Sequence, residues 1–99
     1  MAGKKLKPIH PGEVLREEFL KPFKISEKNL AQNLGITLES ICEILEEKQS
    51  VTADTALRLA RFFGTSAQFW LGLQSDYDLD KTKEVLGNRL EKEITPLAA

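Results

Sequence analysis

Apolar residues recur at helical spacing along most of the chain, and the clearest pattern lies between residues 26 and 45. Two short helices are predicted there, because Ser26 and Thr37 are favourable N-caps and Gly35 can adopt the positive φ that ends a helix. No strand-like alternation is longer than a few residues, so the fold class is predicted to be all-α. The apolar residues share one face of each helix: Leu30, Ala31 and Leu34 in the first, and Ile41, Ile44 and Leu45 in the second.

Two short helices joined by a turn that contains glycine are the outline of a helix-turn-helix motif. The small side chain of Ala31 would let the second helix cross the first at close range. One interpretation is that residues 37–45 enter the major groove of DNA. The other is that the pattern belongs to an all-helical domain that simply has a tight turn here. The spacing alone does not decide between the two interpretations.

A first helix is predicted to begin at Pro11 or Gly12 and to end before Pro22, because proline cannot continue a helix. The only histidine, His10, precedes this helix. It could be a metal ligand or a base, but no second metal ligand or acid–base partner lies near it in the sequence. We therefore interpret His10 as a turn residue. The charged residues of the first helix are expected to face water: Arg16, Glu17 and Glu18.

Three further helices are predicted after residue 50. The inner face of the fourth helix is predicted to contain Leu57, Ala60 and either Phe63 or Leu59. Gly87 should weaken the last helix by about 1 kcal/mol relative to alanine. The predicted caps and stops are Thr52 and Gly64 for the fourth helix, Ser66 for the fifth, and Asp78 or Asp80 and Pro96 for the last, which continues through Leu90.

Composition excludes several classes of protein. No apolar run approaches the ~20 residues of a membrane span, and the polar start of the chain does not fit a secretory signal. One cysteine cannot form an internal disulfide or a cysteine-based metal site, and Cys42 has no basic neighbour in sequence that would activate it. We expect a single cytoplasmic, non-enzymatic domain without a metal or cofactor, in which Cys42 is an inert, half-buried thiol.

The formal net charge is −1, but the charges are unevenly distributed. Residues 1–30 carry seven Lys and Arg against four Glu, whereas residues 31–50 carry only Lys48 as a cation. The segment predicted to enter the DNA groove is therefore the acidic part of the chain, an arrangement that phosphates repel. The acidic residues of this segment are Glu39, Glu43, Glu46 and Glu47.

Aromatic residues cluster around the turn between the fourth and fifth helices: Phe62, Phe63, Phe69 and Trp70. Such a cluster could be a platform on which nucleic-acid bases stack. Because these residues flank a tight turn between two helices, they more simply close a core or a dimer interface. We assign Phe69, Trp70 and Leu73 to a core or dimer cluster and leave those two alternatives open.

Three separated motifs resemble the HigA antitoxins, a branch of the Cro/repressor-type (XRE) helix-turn-helix proteins in which some members are called virulence-associated protein I. The motifs are PIHPGEVL at residues 8–15, VTADTALRLA at residues 51–60, and FGTS at residues 63–66 with FWL at 69–71 and LQ at 73–74. The resemblance covers residues 8–79. It implies a five-helix, lambda repressor-like domain with an added C-terminal helix. We divide the chain into a mobile basic N-terminus (1–8), the helix-turn-helix domain (9–79), and a C-terminal helix and tail (80–99).

The resemblance also implies a function. HigA-type proteins are antitoxins of type II toxin–antitoxin modules, which neutralise a small, basic, mRNA-cleaving HigB-like toxin and, as homodimers, bind operator DNA and repress their own operon. The implied partners are therefore operator DNA, the toxin and a second copy of the chain. If the chain binds DNA, we predict that Thr37, Glu39, Ser40 and Glu43 face bases and that Lys28 and Lys48 face phosphates. Leu38 completes the predicted set of DNA-binding residues.

The chain departs from the family pattern where DNA would be read. The usual polar or basic pair after the third-helix cap is replaced by Leu38-Glu39, the usual exit Asn-Gly-Lys-Arg by residues 46–49 (EEKQ), and the usual Ser-Gln by Ser26-Glu27. Two hypotheses remain: a DNA-binding antitoxin and autorepressor, or a protein-interaction module that keeps toxin binding with weak or no operator binding. An enzyme is least supported, because the chain has no His-Glu-x-x-His motif.

Overall fold

The computed structural model describes residues 8–98 of the chain, and this part contains six helices. No strand occurs within those residues, in agreement with the predicted all-α class. The predicted mobile N-terminus lies, apart from Pro8, outside the described residues. The helices are α1 (residues 11–23), α2 (Glu27–Leu34), α3 (Leu38–Leu45), α4 (Ala53–Phe63), α5 (Ala67–Leu86) and α6 (Arg89–Glu93).

Side-chain caps set the starts of four helices, as the sequence predicted. The hydroxyls of Ser26, Thr37, Thr52 and Ser66 each accept a hydrogen bond from the backbone N–H three residues later. Gly35 and Gly64 end α2 and α4 with φ values of 72° and 77°. Hydrogen bonds between residues close in sequence therefore set where α2, α3, α4 and α5 begin, and glycines set where α2 and α4 end.

Helix α1 continues through Pro22 to Phe23, so the predicted end before Pro22 is wrong. The helix is α-helical at Pro11–Val14, π-helical at Leu15–Leu20 and α-helical again at Lys21–Phe23. A proline ring normally clashes with the carbonyl four residues before it. The wider π turn shifts that carbonyl and accommodates the missing N–H, which lets the helix run one residue past the proline.

The core lies where α1 to α4 meet the N-terminal half of α5. Helix α4 turns Thr55, Ala56 and Leu59 inward. Leu57 was predicted to be on the inner face, but its side chain is 62% exposed, because the inward spacing i, i+1, i+4 places residue 57 on the opposite side of the helix. The largest fully buried side chains are Trp70, Leu15, Leu30, Ile41, Ile44, Leu59 and Pro11.

Helix α5 runs without a break from Ala67 to Leu86, so neither Asp78 nor Asp80 caps a separate last helix. The Asp78 carboxylate instead accepts a hydrogen bond from Gln74 Nε2 one turn earlier, at 3.0 Å. Asp78 is tolerated in the middle of the helix because its side chain bonds a helical neighbour rather than its own backbone.

The C-terminal helix predicted to run through Leu90 is short, and Gly87 separates it from α5. Gly87 has a φ of 56° and ends α5, whereas the sequence placed it inside the last helix. Helix α6 then covers only Arg89–Glu93, three residues short of Pro96. The C-terminal part of α5 continues past the core and, together with α6, forms an arm (residues 79–94). The arm carries exposed apolar side chains: Leu79, Val85, Leu90 and Ile94.

Glu47, just after α3, has a φ of 64°, a left-handed conformation that costs a residue with a Cβ about 1 kcal/mol. Glu47→Gly is therefore expected to raise the free energy of unfolding by up to about 1 kcal/mol in urea titration, despite the greater freedom of glycine in the unfolded chain. The control is Ser50→Gly in the same connection, where φ is negative and glycine should lower stability slightly. Equal or lower stability of Glu47→Gly would contradict the prediction.

Candidate nucleic-acid interface

Helix α3 is buried on one face and open on the other. Ile41, Ile44 and Leu45 pack into the core. The open side carries the residues predicted to bind DNA: Thr37, Leu38 and Glu39 at the N-terminal end are exposed, and Ser40 and, one turn after Glu39, Glu43 are half-buried. The structure thus brings Leu38 and the four residues predicted to face bases onto one side of this helix and its cap. The N-terminal end of a recognition helix is the part that contacts base edges in helix-turn-helix complexes.

Leu38 is an exposed apolar residue at the first position of α3, with 45% of its surface accessible. It contributes to none of the buried core. Its position is fixed by the cap immediately before it, where Thr37 Oγ1 accepts from the Ser40 N–H at 3.0 Å. A leucine side chain is therefore held toward solvent at the tip of the candidate recognition helix.

The charges around α3 are mainly negative. Glu39 and Glu43 are one turn apart on the same side of the helix, and neither forms an ion pair within residues 8–98. Lys48 Nζ lies 3.3 Å from Glu46 Oε1, so part of its charge is already compensated. Lys28 is exposed on α2. Among residues 8–98, few free cations are therefore available near this face to neutralise phosphates.

Two arginines that the sequence analysis did not assign to the site hold α2 and α3 in place. Arg16 was expected to face water, but its Nη1 donates to the Leu45 carbonyl at the end of α3, at 2.8 Å. Arg58 Nη1 donates to the Leu34 carbonyl at the end of α2, at 2.7 Å. The last carbonyls of a helix have no hydrogen-bond partner within that helix. Each arginine therefore donates to one of them, and its positive charge interacts favourably with the negative C-terminal end of the helix dipole.

The start of α1 packs directly on the backbone of α3. Gly12 is buried there, and a Cβ built on it would lie 2.0 Å from the Ile44 carbonyl oxygen. His10 caps α1: its Nδ1 accepts from the Gly12 N–H at 2.9 Å. Burial lowers the pKa of His10, and the charges of Glu47 and Asp78 oppose this by raising it. His10 therefore acts as a neutral cap, which agrees with its interpretation as a turn residue.

Cys42 links the two helices of the motif. Its Sγ donates to Glu27 Oε1 on α2 at 3.1 Å. This hydrogen bond raises the pKa of the Cys42 thiol, as do its partial desolvation and the charges of Glu27 and Glu46. The thiol is therefore kept protonated at neutral pH, which agrees with an unreactive cysteine.

The aromatic cluster divides into buried and exposed members. Trp70 is fully buried, and its Nε1 donates to Thr65 Oγ1 at 2.8 Å. Phe69 is 40% exposed, and Leu73 is half-buried against the core. Phe69 and Trp70 meet edge to face, with ring centroids 4.9 Å apart. The Phe69 ring and that of Phe62, which is 38% exposed, are thus presented to a neighbouring molecule, whereas the Trp70 ring is not.

Within residues 8–98, no group of three His, Cys, Asp or Glu side chains is arranged to hold a metal ion. No helix in the same part of the chain is long and apolar enough to cross a membrane. The geometry of α2 and α3 instead defines a helix-turn-helix domain: a buried, capped helix pair with one open face on the second helix.

Comparison with known proteins gives the family. The chain is 51% identical over 84 residues to virulence-associated protein I of Dichelobacter nodosus, covering 84% of this chain and 78% of that protein. It is 33% identical over 93 residues to antitoxin HigA-1 of Vibrio cholerae, covering 94% of this chain and 84% of that one. No protein-family model matches the chain.

The fold agrees with the same relatives. The structure of the Pseudomonas aeruginosa antitoxin HigA with the higBA promoter superposes with a TM-score of 0.88 at 47% identity, covering 92% of this chain and 99% of that one. The chain belongs to the HigA antitoxin family of helix-turn-helix transcriptional regulators. The predicted family and all-α fold class are therefore confirmed, and the chain is not an enzyme.

Proposed function

We propose that this chain is the antitoxin of a type II toxin–antitoxin module and a DNA-binding repressor of its own operon. The proposal rests on the structural match to the Pseudomonas aeruginosa antitoxin HigA, whose structure was solved with the higBA promoter; the TM-score is 0.88. The open face of α3 supplies the matching surface. A module with weak or no operator binding is not favoured, because relatives of this fold are solved on their operators.

We place the contacts with DNA on the first turns of α3 and on two lysines. Thr37, Leu38, Glu39, Ser40 and Glu43 face base edges, and Lys28 and Lys48 face phosphates. A gel shift with the DNA upstream of the operon tests this. Binding at nanomolar to micromolar protein that a non-specific competitor does not remove supports the repressor role. Shifts that the competitor abolishes would contradict it.

Because few free cations among residues 8–98 lie on this face, we predict that the affinity for DNA depends only weakly on salt concentration. Each phosphate contact adds ~0.9 to the dependence of log affinity on log salt, so the slope should be shallow. Glu39→Gln with Glu46→Asn removes two negative charges beside the DNA and should tighten non-specific binding. Fluorescence anisotropy with a random duplex measures both quantities.

The control has the same change in charge elsewhere: Glu13→Gln with Glu18→Gln, both exposed on α1. It should affect binding much less than the pair near α3. Equal effects of the two double variants would mean that Glu39 and Glu46 do not lie close to DNA, and that only net charge matters.

The toxin partner follows from charge. An enzyme that cleaves mRNA must approach phosphates and is expected to be basic, so its antitoxin needs an acidic or apolar surface. The chain has two acidic surfaces, residues 39–47 and the Asp76, Asp78 and Asp80 run on α5. We propose a small, basic, HigB-like ribonuclease encoded beside this gene as partner, and the cytoplasm as the compartment where both act.

Co-expression with affinity purification tests the partnership. The neighbouring basic protein should co-purify in stable stoichiometry, and its toxicity to growing cells should disappear when this chain is present. If it fails to co-purify and remains toxic, the antitoxin proposal is wrong. The gel shift is independent of this result, so each half of the proposed function can fail alone.

We also propose that the chain is a two-fold homodimer, divided into the DNA-binding domain of residues 9–79 and a C-terminal helix and tail of residues 80–99. Recognition helices on neighbouring half-sites must lie about one DNA turn apart, ~34 Å, which a dimer provides. Several apolar side chains on α5 and α6 are exposed and take no part in the core, so we place the dimer contact on them.

Sedimentation at micromolar concentration should therefore show a dimer. Val85→Asp with Leu90→Asp, both on exposed apolar positions, should dissociate it. The control is Gln68→Asp, which introduces a carboxylate at an exposed site in the first turn of α5, outside the arm, and should leave the dimer intact. A wild-type chain that sediments only as a monomer would contradict the proposal.

A further inference from the structure

We infer that Leu38, Glu39 and Glu43 select pyrimidines in the operator half-site: Leu38 a thymine, and the two glutamates cytosines. The inference rests on the proposed operator binding and adds to it the base chemistry that this chain recognises. It starts from two features of α3 that cost the folded protein stability and that its internal packing does not explain.

The first feature is the exposed leucine. Leu38 is 45% exposed at the tip of α3 and contributes to none of the buried core, so the fold gains little from an apolar side chain there. In the major groove only thymine presents a methyl group, and apolar side chains contact it. A leucine fixed at the first position of the recognition helix can bury its methyls against that group and cannot hydrogen-bond any base.

The second feature is the unpaired pair of glutamates. Glu39 and Glu43 lie at i and i+4, where like charges destabilise a helix. Glu39 is near the positive N-terminal end of the helix dipole, but Glu43 is in the last turn, where a negative charge is unfavourable. Within residues 8–98 neither has a cationic partner. Internal electrostatics therefore do not account for both carboxylates.

Base chemistry does account for them. An ionised carboxylate only accepts hydrogen bonds. Guanine presents two acceptors in the major groove and repels it, and adenine presents an acceptor beside its amino group. Cytosine presents only the N4 amino donor, which makes it the preferred partner of a glutamate. The same carboxylates disfavour guanine on the strand they face, so selection comes from repulsion as well as attraction.

Selection of DNA from a random duplex pool by the full-length protein tests the inference. The enriched half-site should contain one thymine and two cytosines on the strand facing α3. Glu39→Gln should change one cytosine to adenine, because glutamine pairs with adenine N6 and N7, and Glu43→Gln should do so at a second position. The control Glu18→Gln removes an exposed charge on α1 and should leave the motif unchanged.

Leu38 is tested on a single duplex with the enriched sequence. Replacing the thymine by deoxyuridine removes only its methyl and should weaken wild-type binding about fourfold, while replacing a selected cytosine should weaken it about tenfold. The deoxyuridine change should weaken binding of Leu38→Ala less than it weakens wild-type binding, because the shorter side chain covers less of the methyl. Circular dichroism of each variant checks that α3 remains folded.

The outcomes separate this inference from the proposed function. If no sequence is enriched, operator binding fails and the inference fails with it. If a motif is enriched but contains guanines at these positions, or does not change in Glu39→Gln and Glu43→Gln, the chain binds its operator and only the assigned base selectivity is wrong. Equal sensitivity of wild type and Leu38→Ala to deoxyuridine would overturn the thymine assignment.

Discussion

Gly12→Ala is expected to lower the free energy of unfolding by roughly 3 kcal/mol, a large part of the 5–15 kcal/mol typical of a small domain. The added Cβ would lie 2.0 Å from the carbonyl oxygen of Ile44 and 2.9 Å from its carbonyl carbon. Both atoms belong to the backbone of α3, so no side-chain rotation can relieve the clash. Helix α1 would have to move away from α3, and the His10 cap would move with it.

Urea unfolding followed by circular dichroism measures the effect. The matched control is Gly72→Ala in α5, where a Cβ would meet no atom within 4 Å. Alanine is the better helix former, so this variant should gain roughly 0.5–1 kcal/mol. If alanine lowers the free energy of unfolding at position 12 and raises it at position 72, the close approach of α1 to α3 is responsible for the loss at position 12. A Gly12→Ala protein as stable as wild type would mean that the two helices are not in such close contact.

The helix starts could be predicted because they depend on residues close in sequence. Ser26, Thr37, Thr52 and Ser66 each cap a helix by a hydrogen bond to the N–H three residues later, which needs no knowledge of the rest of the fold. The same holds for the glycine exits of α2 and α4. These caps, with the apolar face of α3, were enough to indicate the helix-turn-helix pair.

The helix interiors were harder to predict, because the errors arise from contacts or backbone geometry that residue type does not reveal. Leu57 is as apolar as Leu59, yet only Leu59 points into the core. Asp78 resembles an N-cap, but its carboxylate is occupied by Gln74 and α5 continues past it. The helix passes Pro22 because of the π-helical turn before it, which sequence patterns do not indicate.

For the candidate site, the sequence identified the residues on the open face of α3 but not those that support it. Arg16 and Arg58 are distant in sequence from the carbonyls of Leu45 and Leu34 that they bond. Periodicity places a charged residue on a helix face but does not say which backbone atom another helix brings to it. The Gly12 contact with α3 was missed for the same reason, since its signal was only a glycine beside a proline.

Trp70→Ala is expected to lower the free energy of unfolding by about 3–5 kcal/mol, a large part of the stability of a small domain. The indole is fully buried, its ring centroid lies 5.1 Å from that of Phe19, and its N–H donates to Thr65. Removing it leaves a cavity among α1, α4 and α5 and an unpaired hydroxyl. Thermal melting by circular dichroism measures the loss.

Phe69→Ala is the matched comparison, because it removes the neighbouring ring in the same helix turn, and that ring is 40% exposed. It should cost less than half as much stability as Trp70→Ala, since part of the ring is already in water. Trp70→Phe should be intermediate, because it keeps most of the volume but loses the hydrogen bond to Thr65. If the variants at positions 69 and 70 lost equal stability, the Phe69 ring would be covered in solution, which would place it in an interface between two copies of the chain; sedimentation of Phe69→Ala would then show a weakened dimer.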